Sequence, residues 1–265
     1  MKTLIIGGNR FAGKLLATEL ISVSEGNEVD VFNRTGTGPL NANIICGDRN
    51  NVRDLEKINF ERYDCIVDMC LYKLEQFELI KNLIPEDINY IFVSSGAVDY
   101  LEIFGSYGVE KKNIENALIR TNINYKIIRP SYIIGKGDHI SRLEYYVSKL
   151  KKQEAIELDG DGDCLINLIF VQDVVKCLRC VAEDNSKTHK IYYVCGDTSI
   201  SINGLIELIK SEMHTIDHTV INSQTAVFKN KSFELDNSLI KRDYDLEFTS
   251  LKDGIKQYLE ETREN

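Results

Sequence analysis

Thr3-Leu4-Ile5-Ile6-Gly7-Gly8-Asn9-Arg10-Phe11-Ala12-Gly13 is the stretch whose reading decides the fold. Four apolar or β-branched residues running straight into glycines predict a buried strand that ends in a turn where backbone must come close to something. Downstream, Leu15, Leu16, Leu20 and Ile21 share one helical face. The turn therefore sits at a helix N-terminus, where free N–H groups and the helix dipole favour an anion such as phosphate. Val29-Asp30-Val31-Phe32 reads as a second strand, ending at Asn33-Arg34.

Strand, glycine turn, helix and strand in this order form a dinucleotide-binding unit. Its expected contacts begin with Gly7, Gly8, Asn9, Arg10, Phe11 and Gly13. Arg10 stands where the three-glycine fingerprint of such sites has its middle glycine. An acidic residue at the end of the second strand would bind ribose hydroxyls, whereas an arginine accepts a further phosphate. Asn33 and Arg34 occupy that end, and Arg34 with Arg10 can form a phosphate clamp, so NADP is favoured over NAD.

The alternation continues. Strands are predicted at Asn43–Cys46, Cys65–Met69, Tyr90–Val93 and Tyr125–Ile128, with helices marked by Val52, Leu55 and Ile58, by Leu74–Ile84 and by Gly108–Arg120. This rhythm predicts an α/β fold with a doubly wound parallel sheet, a Rossmann domain over residues 1–134, with ligands at the carboxyl ends of the strands. Beyond Pro130 the rhythm loosens. Residues 171–195 are expected to return to the Rossmann domain, and 135–170 with 196–265 to build a small substrate lobe. Asp159-Gly160-Asp161-Gly162-Asp163 resembles a calcium loop but has Cys164 and Phe170 where Gly and Glu are required, so it reads as a hairpin turn.

Composition narrows the function. A net charge of −9 among 265 residues argues against general nucleic-acid binding, which needs clustered Lys and Arg. The one dense basic run, Lys149–Lys152, suits a helix C-terminus. Seven cysteines, odd in number and mostly in apolar runs, suit reduced thiols. Cys177 and Cys180 lack a second pair, and His214 and His218 lack the glutamate of a metalloprotease helix, so no metal is expected. Met1 leads directly into a strand and no apolar run approaches membrane-spanning length, so a soluble, cytoplasmic protein without membrane partners is expected.

Tyr107 and Lys111 lie four apart on one helix face, twelve residues after Ser95. Two other Tyr/Lys pairs have this spacing, Tyr132/Lys136 and Tyr145/Lys149. Only Tyr107 follows the carboxyl end of a sheet strand bearing paired serines, where it can face the site addressed by the glycine turn.

With these residues in place the chain resembles the short-chain dehydrogenase/reductase superfamily, in its extended and atypical branch of epimerases, dehydratases and reductases. The resemblance rests on Gly7–Gly13, Asp48, Ser95, Tyr107 with Lys111, Ile128-Arg129-Pro130, Gly135-Lys136-Gly137-Asp138, Val171-Gln172-Asp173-Val174 and Thr249–Ile255. It implies an enzyme in which Tyr107 moves a proton, Lys111 lowers the phenol pKa and holds the nicotinamide ribose, and Ser95 binds the substrate's hydroxyl or carbonyl. It further implies that Asp48 meets the adenine amine and that Met69, Cys70 and Pro130 to Ile133 line the cofactor. Asp138 and Asn167 are expected to face the substrate. A small molecule, a sugar or sugar nucleotide, is the expected partner, and a homodimer through the helices at Gly108–Arg120 and Leu74–Ile84 is the superfamily's usual arrangement. The Ser95–Tyr107 gap and the chain are shorter than in typical sugar-nucleotide epimerases, which implies a reduced substrate lobe. The rival reading is a cofactor-binding regulator or redox sensor without turnover, since some atypical relatives with a GGxRFxG turn are RNA-associated.

Overall fold

The structure is a computed structural model that describes residues 1–215 and 218–263. Strand and helix alternate from the start: β1 (Lys2–Ile6), α1 (Phe11–Val23), β2 (Glu28–Asn33), β3 (Asn43–Cys46), α2 (Val52–Leu55), β4 (Cys65–Asp68), α3 (Leu74–Ile80), β5 (Asn89–Val93), α4 (Leu101–Ile119) and β6 (Tyr125–Pro130). There follow β7 (Tyr132–Ile134), α5 (Arg142–Lys152), β8 (Ile156–Leu158), β9 (Leu165–Phe170), α6 (Val171–Glu183) and β10 (Lys190–Val194). The chain then runs through β11 (Ser199–Ser201), α7 (Ile202–Met213), β12 (Val220–Asn222), α8 (Ser238–Tyr244) and α9 (Leu251–Arg263).

Seven parallel strands form the main sheet in the order β10-β6-β5-β4-β1-β2-β3. The order reverses at β1, which creates a crevice at the carboxyl ends beside it. Ile6 is in register with Phe32 and with Asp68, and Asp68 with Phe92, so Gly7, Asn33, Met69 and Val93 emerge at one edge. The central strands are apolar on both faces because both are covered. Ile5, Val31, Val67, Ile91 and Ile128 pack under α1 and α6, while Leu4, Phe32, Ile66, Phe92 and Ile127 pack on the side of α3 and α4.

The lobe has its own core, with Tyr146, Ile166, Leu205, Ile206 and Phe233 fully or nearly fully buried. It is built on a three-stranded sheet, β11-β9-β7, and a β12–β8 pair. An aromatic cluster joins it to the start of α4: Tyr100 and Phe104 lie with ring centroids 5.0 and 4.9 Å from Phe233, and Phe104 lies 5.9 Å from Tyr132.

Four expectations change. The helix placed at Gly108–Arg120 begins at Leu101 and is broken at Gly105, whose φ of 52° and ψ of −131° only glycine adopts readily. The helix placed at Leu74–Ile84 closes at Ile80, and the chain continues as turns in which the Leu83 N–H donates to Ile80. The Asp159–Asp163 segment is no hairpin, because β8 pairs with β12 while β9 pairs with β7 and β11. It carries the chain between two sheets, with Gly160 and Gly162 both at φ +77°. Part of the stretch assigned to the lobe also packs elsewhere: Ile240 and Leu246 sit in the core shared with β1 and α6. No helix among the described residues is long and apolar enough to cross a membrane.

Candidate active site

Gly7 holds φ +91°, and its N–H donates to Phe32 O at 3.0 Å, so the chain turns tightly off β1. A Cβ at Gly13 would lie 2.7 Å from Gly7 O, which is why the helix can pack this closely on the turn only as glycine. No side chain caps the start of α1, and its first turn holds no acidic residue. The dipole and free N–H groups of a 13-residue helix are thus left for an anion. Phe11, at φ 42°, closes the turn from above and lies 3.8 Å from the Cβ position of Gly137.

The loop after β2 is pre-built. Asn33 is buried; its amide donates to Thr37 O at 2.8 Å and its oxygen accepts the Thr35 N–H at 3.0 Å and hydroxyl at 2.8 Å. Asn9 ties the glycine turn to this loop by donating to Thr35 Oγ1 at 3.0 Å. Arg34 and Arg10 are exposed on either side. Asp48 is half-buried, and one of its oxygens accepts from the Asn50 N–H and side-chain amide at 2.9 and 2.8 Å. Met69 and Cys70 follow β4 directly beneath the turn, with Cys70 Sγ only 2.8 Å from where a Gly7 Cβ would stand. Pro130 closes β6 and leads through Ser131, whose buried hydroxyl lacks a partner, to Ile133. A glycine cradle against an uncapped helix and a buried orphan hydroxyl beside β6 fit a dinucleotide at this edge.

Ser95, Tyr107 and Lys111 come together at the carboxyl ends of β4, β5 and β6. The Ser95 hydroxyl accepts the Ala97 N–H at 3.2 Å, capping a short 3-10 helix, and neighbours the Tyr107 hydroxyl. Lys111 is 1% exposed, and its ammonium donates to Val93 O at 2.9 Å. Its Nζ lies 4.9 Å from the centroids of both Tyr72 and Phe92 and 6.0 Å from that of Tyr107. Burial pulls Lys111 down to about 7, against the attraction of Asp68.

The expected lowering of the Tyr107 pKa by Lys111 is corrected here. The Tyr107 phenol is raised, because desolvation of its inward-facing hydroxyl outweighs the opposing effects of the Ser95 hydroxyl and of Arg142. Tyr107 as a whole residue is 41% exposed.

Asp138 and Asn167, expected to face substrate, are consumed by structure. Asp138 accepts from the Ile140 and Arg142 N–H groups at 3.0 and 3.1 Å and pairs with the Arg142 guanidinium at 3.1 Å, so it organises the entry to α5. Asn167 donates to Ser199 Oγ at 3.2 Å and accepts the Leu235 N–H at 2.6 Å, which ties the chain segment after Phe233 to β9. Both departures have one cause: buried polar groups take the nearest backbone partners.

Residues without a motif complete the site. Tyr72, half-exposed on the loop after β4, covers Lys111, and burial raises its phenol to about 12. Arg49 and Asp68 form a buried bidentate pair at 2.6 and 2.9 Å, and Tyr90 donates to Asp68 at 3.1 Å. An aspartate ending an otherwise apolar strand was the available signal for this pair. A depression of about 600 Å³ lined by Met1, Ser24, Asn27, Asp64 and Glu183 lies at the other end of the strands, away from all these groups. Among the described residues no group of three or more His, Cys, Asp and Glu side chains is placed to hold a metal ion.

Residues 101–196 match the NAD dependent epimerase/dehydratase family. A curated relative, the chloroplast stem-loop binding protein of 41 kDa b of Arabidopsis thaliana, is 25% identical over 233 residues, which is 77% of this chain and 61% of that protein. The chain thus spans less than two thirds of that relative's length. Among solved structures, the fold is similar to UDP-glucose 4-epimerase of Thermotoga maritima, with TM-score 0.80, 19% identity and coverage of 100% of this chain and 99% of that one. It is similar also to UDP-glucuronic acid 4-epimerase of Bacillus cereus, solved with UDP-glucuronic acid and NAD, with TM-score 0.81, 16% identity and coverage of 100% and 99%. The likeness spans both the sheet and the lobe. The matched segment holds Tyr107, Lys111 and Arg129, and the fold around it is similar to that of these epimerases.

Proposed function

We propose that the protein is a nicotinamide-dependent enzyme that acts on a hydroxyl or keto group of a sugar or sugar nucleotide, as an epimerase, dehydratase or reductase. The observation that carries this reading is the convergence of Ser95, Tyr107 and Lys111 on the sheet edge that also holds the glycine turn. A nicotinamide bound there would supply hydride exchange with the substrate carbon. Tyr107 holds the proton that moves to or from the substrate oxygen, and its raised pKa suits it first to donating that proton. Ser95 orients the same oxygen. Lys111, one turn on along the same helix, is buried at this edge with its amine held at Val93 O.

Several features support the cofactor assignment. Gly7, Gly8, Asn9, Phe11 and Gly13 would hold the pyrophosphate, Asp48 the adenine, and Met69, Cys70, Pro130 and Ile133 would line the remainder. The exposed guanidinium groups of Arg34 and Arg10 beside the Asn33-ordered loop favour NADP, although the epimerase from Bacillus cereus was solved with NAD. Titration with NADPH and NADH, followed by absorbance at the nicotinamide band with UDP-sugars and small carbonyl compounds, tests the reading. Binding of neither cofactor would overturn it.

The relative named for stem-loop binding favours a second reading, a cofactor-binding protein that associates with RNA. The net charge of −9 weighs against it, as does the presence of Ser95, Tyr107 and Lys111 together. Unchanged electrophoretic mobility of a stem-loop RNA at physiological salt would remove it.

A further inference from the structure

Arg142 opens α5 and places its guanidinium over the lobe's ring cluster, with Cζ 5.4 Å from the centroid of Tyr132. Its side-chain hydrogen bonds all leave from one nitrogen. Nη1 donates to the two oxygens of Asp138, at 3.2 and 3.1 Å, and to Ile133 O at 3.4 Å. Nε is buried without a partner, and among the described residues no acceptor reaches Nη2. The Nε–Nη2 edge, the planar fork that matches a carboxylate or a phosphate, is thus vacant. A buried N–H without an acceptor is costly, and folded proteins rarely keep one without a use.

Asp138 does not use up this cation. Its oxygens also accept the Ile140 and Arg142 N–H groups, at 3.0 and 3.1 Å, so the carboxylate is shared with backbone. It grips the guanidinium from the Nη1 side and so fixes the plane of the vacant edge. The Arg142 side chain stays 15% exposed against 2% for Asp138, which makes the guanidinium the accessible partner of the pair. Packing sets this edge beside the reaction centre. Tyr132, beneath Arg142, lies 5.0 Å from Phe233, whose Cζ is 3.0 Å from where a Gly96 Cβ would stand, next to Ser95. Tyr132 also lies 5.9 Å from Phe104, three residues before Tyr107. Two rings therefore separate Arg142 from the Ser95 turn.

We propose that the Nε–Nη2 edge of Arg142 binds an acidic group carried on the substrate's own sugar, a phosphate monoester or a carboxylate, and so selects anionic sugars over neutral ones. Calling this ligand the substrate rests on the enzyme reading above; anion binding at Arg142 does not. The span of two rings suits a compact ligand. With its reacting oxygen at Ser95 and Tyr107, a sugar phosphate or sugar acid reaches Arg142 with its charged end. The fork then receives two parallel charge-assisted hydrogen bonds, which fix the orientation of the sugar as well as its affinity.

The test is ¹⁵N–¹H NMR of the Arg142 Nε–H group in the full chain, with and without NADPH, the signal identified by its loss in Arg142→Lys. Glucose 6-phosphate and glucuronate are the probes, glucose the neutral control and UDP-glucose the longer anion. A saturable shift with glucose 6-phosphate or glucuronate and none with glucose is expected, and the probe that acts at the lower concentration tells phosphate from carboxylate. The reporter is Arg142 itself, so anions held at Arg10 or Arg34 leave it unmoved. No shift with either compact anion, an equal shift with glucose, or a shift with UDP-glucose alone overturns the proposal. Arg142→Lys keeps a cation beside Asp138, which guards the fold, but removes the fork. It is expected to bind the compact anion about ten- to a hundredfold more weakly by calorimetry, with NADPH affinity unchanged. Equal anion affinity in the two proteins overturns the proposal. If the Arg142 signal shifts as expected while NADPH does not bind, the anion site stands and the enzyme reading falls. If NADPH binds and the signal stays still, this inference alone falls.

Discussion

The ammonium of Lys111 donates to the carbonyl oxygen of Val93 at 2.9 Å, pinning the middle of α4 to the carboxyl end of β5. This contact fixes Tyr107, one turn earlier, above the same strand. It also holds a cation in a nearly closed apolar pocket.

The first prediction follows from that burial. The Lys111 pKa is about 7 in the folded chain, against the ordinary lysine value near 10.4 once unfolded. Between these values the unfolded chain binds the additional proton, so stability rises with pH, with a slope of up to about 1.4 kcal/mol per unit. Below pH 7 both states are protonated and the contribution is flat. Urea unfolding of wild type and Lys111→Met at pH 7, 8 and 9 should show the wild type gaining on the variant as pH rises. A constant difference would mean that the lysine stays charged throughout.

Tyr107→Phe removes the hydroxyl and keeps the ring. Turnover is expected to fall by about a hundredfold or more, while NADPH affinity changes little. An unchanged rate would take Tyr107 out of the mechanism.

Gly105→Ala tests the kink. Its space is open, but its backbone conformation is one that residues with a Cβ avoid, so the substitution is expected to cost about 1–3 kcal/mol. Straightening the break would also re-aim Tyr107 two residues on, so kcat should drop with the melting temperature. A loss of stability with full activity would show that the kink is only structural.

Gly13→Ala places a Cβ 2.7 Å from Gly7 O, a clash with backbone that cannot rotate away. A destabilisation of about 1–3 kcal/mol is expected, together with loss of cofactor affinity measured by calorimetry. Normal affinity in this variant would show that the turn does not hold the pyrophosphate.

Arg34→Ala and Arg10→Gly test cofactor choice. Loss of a charge-assisted hydrogen bond to the additional phosphate should weaken NADPH by about ten- to a hundredfold and leave NADH unchanged. Equal effects on both cofactors would assign the arginines to the pyrophosphate or to neither.

The sequence by itself determined the sheet, because the β1-to-β6 strands are short apolar runs separated by helical periods and glycine turns, signals that act within a few residues. It likewise determined the position of the glycine turn and the placing of Tyr107 and Lys111 on one helix face. Tertiary structure decided the rest. The direction of the Tyr107 shift depends on how deeply its hydroxyl is buried, and no spacing encodes that. The withdrawal of Asp138 and Asn167 into α5 and β9 depends on which backbone N–H groups happen to lie beside them. Arg49 and Asp68 are nineteen residues apart and meet only because β3 and β4 end at the same edge of a sheet whose order is not the order of the chain. A buried charge finds its partner through packing, and packing between distant segments is set by the whole fold rather than by any local pattern.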